Sequence, residues 1–101
     1  MYDKILKLVI DQAEELNEQL DSRIPVELGA EAPLFGGDSG ILDSISLVTL
    51  IVSVEQSIED ETGIAVILAD EKAMSQKNNP FTTIGALTSY IIQVLDEASN
   101  D

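Results

Sequence analysis

The stretch Leu42-Asp43-Ser44-Ile45-Ser46-Leu47-Val48-Thr49-Leu50-Ile51-Val52-Ser53-Val54-Glu55 decides how this chain folds. It reads as the opening of a long helix. Asp43 is a candidate N-cap, because its short carboxylate can accept a free N–H of the first turn. No Gly or Pro interrupts the chain from Ser44 until Gly63, the expected stop. The expected helix therefore runs from Ser44 to about residue 60. Each helical residue advances about 100° around the axis. On that wheel Leu47, Leu50, Ile51, Val54 and Ile58 share one arc of about 100°, a normal buried face. Ser46, Thr49, Ser53, Gln56 and Ser57 fill the wet side.

A third set lies between these two faces. Ile45, Val48 and Val52 are branched apolar residues outside the main arc, on the flank that begins at Ser44. Glu55 and Glu59 continue that flank with charge. Two readings are open. The flank packs under a loop or a short helix, or it stays exposed and marks a partner site. An apolar strip with an acidic rim suits a basic, hydrophobic docking groove.

Upstream of this helix, residues 2–20 carry Ile5, Leu8, Val9, Leu16 and Leu20 at helical spacing, with Glu14, Glu15 and Glu18 opposite. Ile24-Pro25 closes that helix, because a residue before proline avoids helical dihedrals. Residues 21–42 read as one long loop, punctuated by Pro25, Gly29, Pro33, Gly36, Gly37 and Gly40. Ile24, Val26, Leu28, Leu34, Phe35, Ile41 and Leu42 are too many apolar residues for a free linker, so the loop is expected to be pinned to the core. Ordered loops of this length are often functional.

Downstream, the run from Ile64 to Ala69 is the one β-prone stretch, and alone it makes no sheet. Asp70 to Gln76 has room for one or two helical turns before Lys77-Asn78-Asn79-Pro80 breaks them. Thr82 or Thr83 then caps a last helix reaching about Glu97, with Ile84, Leu87, Ile91, Val94 and Leu95 as its core stripe. Gly85 inside that helix costs roughly 1 kcal/mol relative to Ala. Nothing local calls for it; a close neighbour would. The expected architecture is all-α: three longer helices and a short one in a single domain over residues 1–101.

Composition narrows the function. The 101 residues include 19 acids against 5 bases, a net charge of −14. Phosphate backbones and anionic lipid surfaces both need Lys and Arg, so nucleic acid and membrane docking are disfavoured. With 45% hydrophobic residues, the chain is no disordered acidic tail. It has no Cys, His or Trp. Disulfides, Cys/His zinc sites, imidazole bases and thiol nucleophiles are therefore absent from its repertoire. Asp38 to Asp43 lacks the alternating ligands and closing Glu of a calcium loop. Met1-Tyr2-Asp3 places an acid where a signal peptide carries basic residues. Apolar runs are too short to span a bilayer. A cytoplasmic, monomeric binding or carrier module is expected, with no catalysis of its own.

Asp-Ser occurs three times, at Asp21-Ser22, Asp38-Ser39 and Asp43-Ser44. Only Ser44 opens a long helix. At the first helical position its hydroxyl can face outward at the positive end of the helix dipole, a favourable place for a phosphate ester. Taken alone, the pair reads rather as a capping Asp followed by a tolerated serine.

Leu42-Asp43-Ser44-Ile45-Ser46-Leu47-Val48 resembles the acyl carrier proteins and related carrier domains. Phe81-Thr82-Thr83-Ile84-Gly85-Ala86-Leu87 through Tyr90-Ile91 is similar to the opening of that family's last helix. Size, acidity, lack of Cys and the order of elements agree, over residues 2–97. The resemblance implies a four-helix acyl-carrier-type bundle. It implies a 4′-phosphopantetheine arm, taken from coenzyme A, on Ser44 beside Asp43. It also implies docking through Asp43, Ile45, Val48, Val52, Glu55 and Glu59. The partners implied are a phosphopantetheinyl transferase and acyl- or aminoacyl-activating, acyl-transfer or condensing enzymes with basic patches. Departures are Ile41 where the family often has Gly, and Ile45 for the usual Leu. The stretch from Leu34-Phe35 through Ser44 looks rather like the stand-alone D-alanyl carriers. These departures leave open whether the cargo is an acyl chain or an aminoacyl or peptidyl group. From another class, an unmodified acidic helical adaptor is the competing reading.

Overall fold

The structure, a computed structural model, describes residues 2–19, 23–35, 41–68 and 80–99, except the side chains of Ser44 and Ser99. Within them the chain forms α1 (Tyr2–Asn17), a kinked 3-10 helix η1 (Val26–Glu31), α2 (Ser44–Thr62) and α3 (Ile84–Ser99). The described chain is mostly helical, as the sequence led us to expect. The short helix expected at residues 70–76 lies outside the described residues.

α1 buries Ile5, Leu8, Val9, Ala13 and Leu16, the stripe read from its spacing plus Ala13. It stops at Asn17, short of the expected residue 20, and Leu20 itself lies outside the described residues. The physical reason for the stop is local. The Gln19 N–H bonds the Leu16 carbonyl at 2.9 Å, tightening the last turn. The side chain of Asn17, the last residue of α1, clasps Ile24: its amide donates to the Ile24 carbonyl at 3.0 Å, and its oxygen accepts the Ile24 N–H at 2.7 Å.

The long loop is pinned to the core, with Ile24, Val26, Leu34 and Leu42 buried. Two expectations for it change. It contains η1, whose two short pieces meet at Gly29, at a positive φ (63°) that favours glycine. A single turn on either side of a glycine leaves too little periodicity to read in a sequence. Leu28, expected among the pinned residues, is instead half exposed at 52%.

Past η1 the chain runs extended and pairs with the residues leading into α3. The Leu34 N–H bonds the Thr82 carbonyl (2.8 Å), that of Phe35 bonds Phe81 (3.0 Å), and that of Ile84 bonds Ala32 (3.0 Å). Thr83 is the residue that caps α3, its hydroxyl accepting the Ala86 N–H at 3.0 Å. Ile84, Leu87, Ile91 and Leu95 are buried as expected. Val94 is only half-buried, and Thr88 takes a place in the core with its hydroxyl bonded to the Ile84 carbonyl. Phe81 is fully buried, its ring edge-on to Tyr90.

Gly85 acquires its reason here. A Cβ at this position would lie 2.8 Å from the Ala30 Cβ and 2.9 Å from the Ala30 carbonyl oxygen. The glycine lets η1 seat directly on α3.

α1 is the hub of the fold. It packs against α2, α3 and η1, while among the described residues α2 and α3 make no direct backbone approach to each other. One hydrophobic core joins all of them. No helix among the described residues is long and apolar enough to cross a membrane.

Candidate functional site

The site singled out by the sequence is the start of α2, and two layers of hydrogen bonds place it. The extended segment that pairs with Phe81 and Thr82 also bonds the residues that lead into α2. The Leu34 carbonyl accepts both the Ile41 N–H (2.9 Å) and the Leu42 N–H (2.8 Å). Leu42 is buried beside this junction. The next residue, Asp43, is therefore delivered to a defined point at the edge of the core.

Asp43 has extended dihedrals (φ −82°, ψ 176°) and is the N-cap of α2. Its Oδ1 accepts the Ser46 N–H at 2.7 Å. Its carbonyl accepts the Leu47 N–H at 2.9 Å, the first bond of the helix. The Ser46 N–H holds the Asp43 carboxyl below the usual aspartate range. The cap is thus an exposed anion at the positive end of the helix. Ser44 is the first residue of α2, and Asp43 and Ile45 on either side of it are exposed.

Below this point the helix divides its faces as the wheel implied. Leu47, Leu50, Ile51, Val54 and Ile58 are all fully buried. Each contributes roughly 1.5–3 kcal/mol of burial to holding α2 in place. Ile45 is 78% exposed, and Val48 and Val52 are each 42% exposed. The flank left open between two readings is therefore a surface strip, on the helix that the Asp43 cap begins. Glu59 is exposed at its far end.

Glu55 departs from the rest of the set. It is half-buried, and its carboxylate accepts the Leu68 N–H at 2.6 Å. It is expected to continue the flank with charge; the structure shows one of its oxygens holding the chain that follows α2. The sequence signal was present in the β-prone run from Ile64, but no local rule says where such a run will lie.

Among the described residues, no group of three or more acidic, His or Cys side chains is arranged to hold a metal ion. Comparison of the chain with protein-family models, curated proteins and solved structures finds no match in any of the three. The arrangement itself must carry the functional reading: a serine opening a helix behind an ionised cap, followed by a branched apolar strip that the core does not use.

Proposed function

We propose that this chain is an acyl carrier protein, a four-helix bundle of that type whose Ser44 bears a 4′-phosphopantetheine arm. The observation that carries the reading is the Asp43 cap, which starts α2 at Ser44 with exposed residues on both sides. A transferase must reach that serine, and an anion tethered there meets the free N–H groups and dipole of α2. Ser44 supplies the hydroxyl oxygen that displaces adenosine bisphosphate from coenzyme A, its proton passing to a base of the transferase. When attached, the arm offers a thiol on which a cargo rides as a thioester. Asp43 stays ionised and gives the approaching enzyme a fixed negative landmark. Ile45, Val48 and Val52 offer a narrow apolar contact, and Glu59 adds charge at its edge. Contacts of this kind form fast and release easily, as a carrier that visits several enzymes requires.

The −14 charge supports basic partner surfaces, and the cytoplasm is the compartment where such a carrier would meet coenzyme A. An aminoacyl or peptidyl cargo would use the same arm with a different loading enzyme.

The deciding test is intact mass after incubation with coenzyme A and a broad-specificity phosphopantetheinyl transferase. The native chain gains one phosphopantetheine and Ser44→Ala gains none. A native chain that stays unmodified with several transferases removes the carrier reading and leaves an acidic helical adaptor.

A further inference from the structure

We propose that residues 64–68 form a strap hinged at Gly63 and latched to α2 by the Glu55 carboxylate, able to open while the three α-helices stay packed. The inference concerns the chain after α2 and stands apart from any modification of Ser44.

The hinge is a discontinuity in the backbone. α2 ends at Thr62, and Gly63 turns into the left-handed region (φ 75°) with its N–H on the Glu59 carbonyl. Nothing lies within 4 Å of where a Gly63 Cβ would be, so the turn is open to solvent.

The strap alternates. Val66 and Leu68 are buried, while Ala65 is exposed and Ile67 is 78% exposed. That is the pattern of an extended segment lying with one edge in the core. Yet the strap has no ladder to hold it. Among the described residues its hydrogen bonds to protein groups are two: the Ile64 N–H to the Thr62 hydroxyl (3.1 Å) and the Leu68 N–H to Glu55 (2.6 Å). The first belongs to the hinge. The second, charge-assisted and at the far end, is the one that ties the strap to another element. The extended segment at residues 32–35 differs, being bonded through its main chain on both sides.

The surroundings leave room for movement. A cleft of about 460 Å³, lined by Thr62, Ile64, Ser89, Ile92, Leu95 and Asp96, lies beside the hinge. Among the described residues α2 and α3 each pack directly against α1 and make no direct backbone approach to each other, so the helices keep their contacts with α1 when the strap lifts. Segments with few main-chain bonds open locally, below the free energy of global unfolding. Opening bares the core beneath Val66 and Leu68.

The test is amide hydrogen exchange by NMR on the full chain, in the native protein, Glu55→Gln and Glu55→Ala. In the native protein the Leu68 amide exchanges faster than the core amides of Leu50 and Ile91. In Glu55→Ala the Leu68 rate rises by about ten-fold, the loss of one bond to a charged acceptor. Glu55→Gln, which keeps an acceptor oxygen, falls between, and Leu50 and Ile91 hold their rates. Because the chain has no Cys, the Val66→Cys thiol gives a second readout. It is modified faster in the Glu55→Ala background than with Glu55 intact. A Leu68 amide that exchanges in step with Leu50 and Ile91 in the native protein overturns the strap. A Leu68 rate unchanged by both substitutions overturns the latch.

Discussion

At the first turn of α2 a single carboxylate oxygen of Asp43, 2.7 Å from the Ser46 N–H, both starts the helix and keeps a charge on the surface. The carboxyl is held below its ordinary value near 3.8, chiefly by that N–H. A lowered folded-state pKa means stability that is present above the unfolded value and lost as pH falls through the folded one. Asp43→Asn keeps a capping oxygen but cannot titrate. Its thermal midpoint, followed by circular dichroism, should therefore fall less than the native midpoint as pH drops below about 4. Parallel pH profiles for the two proteins would show that the carboxylate contributes nothing specific. Glu55, twelve residues further on, teaches the opposite lesson. Its place on the wheel pointed outward to a partner, and its oxygen is engaged by Leu68.

The helices of this protein share one apolar core, and small residues and side-chain clasps fix particular junctions around it. Gly85 is where η1 rests on α3, and Ala30 already occupies the space a Cβ would need. Helix propensity alone predicts that Gly85→Ala gains about 1 kcal/mol. Packing predicts the reverse, since one crowding atom is backbone carbonyl and cannot rotate away. Overpacking costs about 1–3 kcal/mol, so the substitution should lower stability on balance. Urea denaturation measures it; a variant as stable as the native chain would mean that η1 shifts freely. Asn17 acts similarly at the end of α1, standing in for a turn of backbone by pairing with both polar groups of Ile24.

Across the whole molecule, 19 acids and 5 bases repel one another more than they attract. The exposed pairs among the described residues, Lys4 with Glu61 at 3.6 Å and Arg23 with Glu27 at 2.9 Å, contribute little in water. Salt at about 0.1 M screens charges beyond about 10 Å, so it relieves repulsion more than it weakens these contacts. The melting temperature should rise as sodium chloride is raised from a few millimolar toward about 0.5 M. A flat or falling midpoint would mean that the acids are spaced widely enough to ignore each other. The same charge is what would draw a basic partner to the strip on α2.

Much of this arrangement was legible before any coordinates. Apolar periodicity placed α1, α2 and α3, because a helix in a small domain must turn its apolar stripe inward whatever its neighbours are. Asp43 and Gly63 marked the ends of α2, because capping and left-handed turns are local chemistry written in the adjacent residues. The start of the candidate site was local in the same way. What lay on the open flank of α2 was not local. Whether Val48 and Val52 were covered depended on where the loop and the run from Ile64 came to rest. That is decided by contacts between residues far apart in sequence: Leu34 with Thr82, Ala30 with Gly85, Glu55 with Leu68. Local spacing and capping residues set α1, α2 and α3 and most of the faces they bury, but not η1. Only tertiary structure decided which leftover apolar residues reach solvent and which acid is taken up inside, because exposure is a property of the packed whole.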